Sequence, residues 1–486
     1  MPEDSEQSSS LNEWHERSFF LEVKPRTDLA SLFVDCPPKI SAENKENAVI
    51  DLVRVSSHSV EIGLPTNLVA NLPAIGGTIP DEVQHFSAKI ADISLSPASV
   101  CTPKWADSNR LFMCKVHAEA ENIPLVPKNF HRLARDMCNA DYLEDFCQML
   151  VEPTTPPPQV QIYYYFLNLK FYLFSFFQGG TLSKGSSKRN RKSASQSPEK
   201  RDKAVHITCR KCGMKFVQEG NKLALEYLPT DDWLQTSASG DFFCRDSCGA
   251  KCDPNRHGGH SSKGVESTKV NPDWVPTESK TLISHLTLTV HKQSLNEKSY
   301  ELSGQIVVCA GCRSEIGQPV KNYPDLLALH HAIVSTAIGN KDFIEFRFND
   351  YSMFLAQLIL TSCENQSSVK LVIRSLDKTP YLLIWLLESY VVLATGMLHE
   401  KAQNENEEAV RPFPAIKMLY KVFDAATAAS DPRANGEDAS VGLIDVPFGC
   451  CLQMTEALLK SSHCLPPACR SVGQFYVGFL KIANSI

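Results

Sequence analysis

Two Cys-x-x-Cys pairs, far apart in the sequence, constrain the fold of this chain more than any other feature. Cys209 and Cys212 form the first pair, and Cys309 and Cys312 form the second. A two-residue spacer lets both sulfurs of a pair face one ion, and glycines at 213 and 311 are expected to permit the tight turns. The spacing therefore predicts that the four cysteines bind one structural zinc ion and join two distant parts of the chain.

Other interpretations of the cysteines stay open at this point. The four thiols can instead be buried without a metal. A thioredoxin-like redox role is less favoured, because neither pair is expected where a strand leads into a helix of a βαβ unit. Between the pairs lies a second group of metal-ligand residues, which is a candidate for a separate zinc site. Its members are Cys244, Cys248, Cys252, His257 and His260.

Composition bounds the compartment and the class of partner. The chain has 17 cysteines in 486 residues, and its first residues are acidic and polar, without a secretory signal. Such usage indicates a reducing compartment, where paired cysteines more often bind metals than form disulfides. The net charge of −6 argues against a protein that binds nucleic acid or a membrane with its whole surface. We expect a cytoplasmic and nuclear protein with no membrane partner and no direct contact with nucleic acid.

The hydrophobic pattern predicts an α+β fold of two β-rich lobes with helices. Residues 1–17 are expected to be disordered, and 18–152 form the N-terminal β-rich lobe. A low-complexity insertion rich in Pro, Ser and Lys follows over 153–203. The Cys-rich core and the C-terminal α+β lobe then occupy 204–486.

Individual elements follow from the same pattern. Helices are predicted over 128–151, 324–338, 351–360, 413–429 and 449–461, where Ile416, Leu419 and Phe423 define one face of the fourth. Strands are predicted over 343–348, 369–373 and 381–387, and a short apolar element over 475–480.

The insertion holds two unusual segments. Residues 160–178 are almost entirely aromatic and aliphatic, which leaves three interpretations: a short membrane helix, a buried strand pair, or an unspliced intron translated in the gene model. We favour the intron, because these codons can supply a splice donor, a branch point and a pyrimidine tract. The basic run from Lys188 to Lys192 is either a solvated linker or a nuclear-import signal.

Several short motifs occur together in a characteristic order. They are Cys209-x-x-Cys212-Gly, Leu228-Pro-x-x-x-Trp233, Phe243-Cys244, Val308-Cys309-x-x-Cys312, Tyr381 to Ser389, Ala415 to Lys421, and a Phe-x-Val-Gly-Phe-Leu-Lys stretch that ends at Lys481. In this order and spacing the chain resembles the HECT-like ubiquitin-conjugating-enzyme-binding family of ubiquitin-protein ligases. The resemblance covers most of 18–482, apart from the insertion and a poorly matching stretch over 128–152.

The resemblance implies a ubiquitin-protein ligase that binds a ubiquitin-conjugating enzyme and passes ubiquitin to protein substrates. Covalent transfer would need an exposed cysteine with a low pKa. The candidate is Cys469, because the neighbouring Arg470 could favour its thiolate. The same sequence is also compatible with an ordinary, partly buried cysteine. Cys450 and Cys451 are no better placed. The ligase can also act without a covalent intermediate, by positioning the charged conjugating enzyme.

The same family implies an alternative function. Relatives bind the zinc endonuclease that cleaves pre-mRNA 3′ ends, and they can block its active site. The matching residues here are Leu228, Pro229, Trp233, Phe243 and Cys244, and Cys244 would bind the partner's zinc in trans. The chain would then inhibit or stabilise that nuclease. His330 and His331 lie in an apolar stretch and are expected to be structural histidines.

Overall fold

The structure is a computed structural model of the 486-residue chain. It describes residues 13–36, 53–65, 83–106, 110–120, 133, 141–150, 204–217, 222–228, 275–348, 350–400 and 409–483. The predicted insertion over 153–203, with its aromatic and basic segments, lies outside these residues. The second group of cysteines and histidines, from Cys244 to His260, also lies outside them.

Strands make up most of the regular structure. In chain order they are β1 (Ser18–Lys24), β2 (Leu29–Asp35), β3 (Val53–Ser56), β4 (Ser59–Pro65), β5 (Val83–Lys89), β6 (Ile93–Ala106), β7 (Leu111–Ala120), β8 (Val205–Cys209), β9 (Ala224–Tyr227), β10 (Lys280–Ile283), β11 (Thr287–His291), β12 (Tyr300–Ser303), β13 (Ile306–Cys309), β14 (Glu315–Val320), β15 (Tyr323–His330), β16 (Val334–Ile338), β17 (Lys341–Asp342), β18 (Lys370–Arg374), β19 (Pro380–Met397), β20 (His399–Glu400), β21 (Phe413–Val422), β22 (Gly442–Asp445), β23 (Ser471–Val472) and β24 (Phe475–Lys481).

Helices are fewer among the described residues. They are α1 (Asp141–Gln148), α2 (Phe343–Phe348), α3 (Tyr351–Asn365), α4 (Ala425–Ser430) and α5 (Phe448–His463), with 3₁₀ turns at Lys292–Ser294 and Pro467–Cys469. Within the described residues, none of these helices is long and apolar enough to span a bilayer. The β-rich class predicted from the sequence is confirmed.

The largest sheet joins the two ends of the chain. Its order is β23-β24-β21-β19-β1-β2-β7-β6, and β18 pairs with both β19 and β22. Strand β1 lies antiparallel beside β19, with Ser18 opposite Met397. Because N-terminal and C-terminal strands share one sheet, the predicted division into two lobes is not confirmed. Of the N-terminal segment expected to be disordered, the structure describes residues 13–17, and the backbone N–H of Trp14 donates to the His463 carbonyl oxygen at 2.9 Å.

Strand β19 forms the spine of this sheet. It is 18 residues long and pairs with β21 on one side and with β18 and β1 on the other. Leu382 and Ile384 face the main core, where α3 and α5 pack, whereas Trp385 points to the opposite face. This alternation is the two-residue period of a strand, so the apolar run predicted as a strand over 381–387 is confirmed.

Two smaller sheets present the cysteine pairs. Strand β8 ends at Cys209 and lies antiparallel beside β16, in the order β17-β16-β8. Strand β13 ends at Cys309 within the sheet β12-β13-β14-β15-β11-β10-β9. A third small sheet, in the order β20-β5-β4-β3, pairs three N-terminal strands with β20.

Several predicted elements are confirmed by the structure. Helix α3 covers the helix expected over 351–360, and α5 covers the one expected over 449–461. Strand β18 matches the strand expected over 369–373, and β24 forms the short apolar element near the C-terminus. Helix α1 occupies part of the helix expected over 128–151.

Three predicted elements are wrong. The helix expected over 324–338 is the strand pair β15 and β16, and the one expected over 413–429 is β21 followed by the short α4. Strand β21 is buried on both faces: Ile416 contacts the main core, and Leu419 belongs to a cluster on the outer face. Burial on both faces hides the alternation that identifies a strand.

The strand expected over 343–348 is helix α2. Its first turn is capped by Asp342, whose Oδ1 accepts hydrogen bonds from the N–H groups of Ile344 at 2.9 Å and Glu345 at 3.4 Å. A side-chain acceptor at this position satisfies donors that would otherwise be unpaired, and therefore favours the helix.

Candidate metal centre

The first knuckle, residues 209–214, turns sharply after β8. The N–H of Cys209 donates to the Met214 carbonyl oxygen at 2.9 Å, and the N–H of Gly213 donates back to the Cys209 carbonyl oxygen at 2.9 Å. Gly213 has a φ of +72°, a left-handed conformation that glycine adopts without steric cost. The predicted role of this glycine is therefore confirmed.

The second knuckle, residues 309–314, repeats the same backbone pattern. The N–H of Cys309 donates to the Ser314 carbonyl oxygen at 2.9 Å, and the N–H of Arg313 donates to the Cys309 carbonyl oxygen at 2.9 Å. The left-handed residue is Arg313, with a φ of +60°, so the prediction that Gly311 permits this turn is wrong. Gly311 instead leaves space between the knuckles: a Cβ there would lie 3.0 Å from the Met214 Cε and 3.2 Å from the Cys212 Sγ, so these side chains would have to shift slightly.

The four sulfurs of the two knuckles converge. All of them lie within 4.8 Å of one another, and two pairs, Cys209 with Cys312 and Cys212 with Cys309, are 3.7 and 3.6 Å apart. Sulfurs in a disulfide are about 2 Å apart, so these thiols are not cross-linked. A tetrahedral ion with metal–sulfur bonds of about 2.3 Å places its ligands about 3.8 Å apart. The residues therefore fit a metal ion, and the predicted cluster is confirmed.

Burial shapes the site asymmetrically. Cys209 and Cys309, which end the two strands, are fully buried, whereas Cys212 is exposed and Cys312 is half-buried. Four protein thiolates complete a tetrahedral shell without an open position for water or substrate. The donor set is therefore typical of a structural centre and not of a catalytic one.

The thiol pKa values differ within the cluster. Burial raises the pKa of Cys209 to about 12, and burial also raises the pKa of Cys309. For Cys312 burial again raises the pKa, but hydrogen bonds from Ser314, Cys212 and Cys209 outweigh it and lower the pKa to about 6. A thiol that binds a divalent metal is deprotonated outright, so metal binding would release the protons that burial otherwise retains.

Arg210, inside the first knuckle, ties the cysteines to the rest of the core. Its Nη2 donates to both carboxylate oxygens of Asp342 at 2.9 and 3.0 Å, and its Nε donates to the His331 carbonyl oxygen at 2.9 Å. Burial alone would raise the pKa of Asp342, but the Arg210 guanidinium and the Ser335 hydroxyl lower it. Because Asp342 also caps α2, the first knuckle is joined through one ion pair to a helix.

Glu315, which follows the second knuckle, plays a corresponding role for α5. Its Oε2 accepts a hydrogen bond from the backbone N–H of Phe448 at 2.7 Å, at the first turn of that helix. The N-cap residue, Pro447, has no side-chain oxygen that could accept this bond. Glu315 therefore supplies the cap, and its charge faces the positive end of the helix dipole.

His330 and His331 lie at the end of β15 and are buried. The Nδ1 of His330 accepts from the Ala332 N–H at 3.1 Å, and the Nε2 of His331 lies 3.1 Å from the Ser284 carbonyl oxygen. Burial lowers their pKa values to about 4 and about 3, respectively. Neither belongs to the cysteine cluster, and the two neutral rings act as packed core groups, as expected from the sequence.

Cys469 is half-buried in the 3₁₀ turn after α5. Burial raises the pKa of its thiol, and Lys417 opposes that change. The Arg470 guanidinium is engaged elsewhere: it donates to the carbonyl oxygens of Leu465 at 3.0 Å and His463 at 3.1 Å. Burial likewise raises the pKa values of Cys450 and Cys451.

The predicted nuclease-binding stretch begins inside the core. Leu228 is only 2% exposed, and its N–H donates to the Ile283 carbonyl oxygen at 2.6 Å. Its side chain is therefore not presented to a partner. Pro229, Trp233, Phe243 and Cys244 lie outside the described residues.

Sequence reasoning found the four cysteines but missed the residues that attach them to the helices. Arg210 and Glu315 were not singled out, because a charged residue beside a knuckle is ordinarily read as solvated. Their position next to the ligands was the one available signal, since groups that surround a metal site commonly orient its ligands.

Comparisons with known proteins agree with the motif order. The model of the HECT-like ubiquitin-conjugating enzyme (E2)-binding family matches residues 175–477, which is more than half of the chain. The chain belongs to this family.

Curated relatives carry a ligase name. The chain is 27% identical over 221 residues to E3 ubiquitin-protein ligase E3D of Bos taurus, covering 43% of this chain and 54% of the relative. It is 20% identical over 289 residues to the Homo sapiens protein of the same name, covering 56% of this chain and 72% of the relative. The match thus spans about half the length of the bovine relative. No solved structure matches the chain.

Proposed function

We propose that this chain is a ubiquitin-protein ligase, which binds a ubiquitin-conjugating enzyme and promotes ubiquitin transfer to protein substrates. The observation that carries the proposal is the family match over 175–477, since it includes both knuckles and α5. The name shared by the bovine and human relatives supports the same function.

The metal in the cysteine cluster is proposed to be zinc. Zinc is d¹⁰ and accepts a tetrahedral set of thiolates without geometric penalty, and Cys209, Cys212, Cys309 and Cys312 supply that set. Bound zinc would supply folding free energy by joining β8 to β13. The protein side chains keep the two knuckles in place, since Arg210 holds the first and Glu315 connects the second to α5.

Transfer is proposed to occur without a thioester on this chain. A thioester-forming cysteine needs an accessible thiolate, and the burial that raises the pKa of Cys469 works against one. The ligase would instead hold the charged conjugating enzyme so that a substrate lysine can attack the enzyme-bound thioester. Positioning of this kind accelerates a reaction by fixing the reacting groups in place.

The test is discharge of ubiquitin from purified, thioester-charged conjugating enzymes onto free lysine, measured with and without the full-length chain. We expect faster discharge from at least one enzyme of a broad panel. Unchanged discharge across the panel would contradict the ligase function.

The same samples, run without reductant, test the covalent route. A reducible ubiquitin adduct on wild type that disappears in Cys469→Ala, but persists in Cys101→Ala, would show that transfer is covalent. Cys101 is a suitable control because it is an exposed cysteine outside the metal cluster.

A further inference from the structure

Helix α5 carries an apolar stripe on its outer side. Phe448, Leu452 and Leu459 are between 39% and 51% exposed, although they are large apolar side chains. Their spacing of four and seven residues places them on one side of the helix. The opposite side is buried in the main core through Cys450 and Met454, among others. The stripe is therefore not needed to hold α5 on the protein.

Aromatic and aliphatic side chains of the large sheet extend this stripe. The ring of Tyr381 lies 5.2 Å from that of Phe448, between centroids. Val422 is opposite Leu382 in the register, so it points to the sheet face on which α5 packs, and it is exposed. Tyr476 is exposed on the same face, because it pairs with Tyr420. Tyr420 in turn contacts Ser462 of α5 through its hydroxyl at 2.8 Å.

We call these six residues the α5 surface: Tyr381, Val422, Phe448, Leu452, Leu459 and Tyr476. Several charged side chains near it are paired within the protein. Glu456 binds Lys460 at 2.7 Å, and Asp445, near the start of α5, accepts from Arg374 at 2.8 Å and from Lys378 at 2.7 Å. The exposed side chains of the surface are themselves apolar, so it favours a partner whose central contact residues are apolar.

Its size indicates the kind of complex. Five of its six side chains are between 39% and 51% exposed, so together they form an apolar patch of roughly a few hundred Å², the size of a functional patch on a typical monomer. A standard interface between two different proteins covers about 800 Å² on each partner, of which a little over half is apolar. A permanent dimer of identical chains needs a larger and more apolar face. The α5 surface thus suits a transient complex with another protein better than a second copy.

The surface is also held in place. Glu315, the residue after the second knuckle, caps the first turn of α5 at Phe448, so the metal centre and the stripe are connected through the backbone of β14. A surface that is rigid before binding loses less conformational entropy on association.

We propose that the α5 surface is the docking site for the ubiquitin-conjugating enzyme, an inference that rests on the proposed ligase function. The family model that specifies binding of such enzymes covers the whole surface from Tyr381 to Tyr476. The enzyme would contribute apolar, uncharged loop side chains that pack between α5 and the ends of β21 and β24. The apolar stripe supplies affinity, and exchange of enzymes during turnover requires the modest interface that this area provides.

The experiment measures binding of the full-length chain to a panel of purified, uncharged ubiquitin-conjugating enzymes by biolayer interferometry. Leu452→Glu and Leu459→Glu place a charge at the centre and at one end of the stripe. Leu302→Glu is the matched control, because Leu302 is an apolar residue on the edge strand β12 and is 49% exposed, against 51% for Leu452. Melting temperature and zinc content are measured for each variant to verify folding.

The expected result is at least a tenfold rise in Kd for the enzymes that bind wild type, in both stripe variants, with Leu302→Glu unchanged. Equal binding by wild type and both stripe variants would overturn the docking site while leaving the ligase function intact. If wild type binds no enzyme of the panel, the ligase function fails, and the docking site fails with it. If the stripe variants, but not Leu302→Glu, lose self-association or binding to free ubiquitin, the surface binds a second copy or ubiquitin and not the conjugating enzyme.

Discussion

The two knuckles have the same backbone but are attached to the protein in different ways. In both, the first cysteine ends a strand and its carbonyl oxygen accepts from a residue in the left-handed region. The first knuckle is attached from within, through Arg210 and its ion pair with the largely buried Asp342. The second is attached from the following strand, through Glu315 and the first turn of α5.

The difference shows that the metal centre is connected to two different parts of the structure. Through Arg210 it reaches α2 and the buried turn at His331, which belong to the main core. Through Glu315 it reaches α5, which carries the exposed apolar stripe. Loss of the Arg210 attachment should therefore reduce global stability, whereas loss of the Glu315 attachment should mainly reduce the order of α5.

Removal of a cysteine ligand should have the largest effect. It should affect both knuckles at once, because they share the ion. Cys309→Ser takes one thiolate from the shared ion, so zinc content should fall and the melting temperature should drop steeply, because metal binding and folding are coupled. Chelation of wild type should produce the same loss. Metal analysis and thermal unfolding measure both quantities, with Cys101→Ser as the control. Full zinc content together with an unchanged melting temperature would show that the site is wrongly assigned.

Loss of the first attachment should be the next largest effect. Arg210→Met leaves the Asp342 carboxylate in a mostly buried site without its guanidinium partner. We expect the free energy of unfolding to fall by about 2–4 kcal/mol, since breaking a buried pair leaves an uncompensated charge. Denaturant unfolding of the zinc-saturated protein measures it.

The double variant Arg210→Met/Asp342→Asn sharpens this result. An asparagine removes the charge but keeps an oxygen for the N–H groups of α2, so part of the stability should return. If the double variant is as unstable as the sum of the single variants, the ion pair is not the attachment.

Loss of the second attachment should have a smaller and more local effect. Glu315→Ala removes the acceptor for the Phe448 N–H and should cost about 1 kcal/mol, whereas Glu315→Gln keeps an acceptor and should cost less. Hydrogen exchange should show faster exchange in the first turn of α5 and little change in α2. The control is Glu456→Ala, which removes an exposed carboxylate from the middle of the same helix. If hydrogen-exchange protection of α5 is equal in all three variants, Glu315 is not the cap of this helix.

These attachments mark the limit of what the sequence predicts. The four ligands could be identified because the two-residue spacing is a local pattern, and cysteines at this spacing are typical of a thiolate metal site. The attachments are not local: Arg210 and Asp342 are 132 residues apart, and Glu315 and Phe448 are 133 residues apart. Either carboxylate could equally have faced water, so nothing in the neighbouring sequence selects its partner.

The same distinction explains the secondary structure. Helices α3 and α5 were predicted from the sequence, and α3 is capped by Asp350, whose side chain accepts from the Ser352 N–H at 2.8 Å. Strand β21 was predicted as a helix because both of its faces are buried, one against the main core and one against Phe20 and Phe479. A sequence pattern does not show directly how many faces of an element are buried. Here the second face of β21 is buried by residues of neighbouring strands in the same sheet.

The smallest predicted effect concerns the left-handed residue in each of the two knuckle turns. Gly213 and Arg313 occupy the same left-handed position, at φ of +72° and +60°. A Cβ on Gly213 would meet no atom within 4 Å, so Gly213→Ala introduces backbone strain alone and should cost about 1 kcal/mol. Arg313→Gly should relieve the same strain, less the entropy that a glycine adds to the unfolded chain, for a net gain of a few tenths of a kcal/mol. The variant also loses the exposed ion pair between Arg313 and Glu301, which contributes little. Denaturant unfolding at saturating zinc should therefore give opposite signs for the two variants, and the same sign for both would show that the knuckles are not equivalent in backbone conformation.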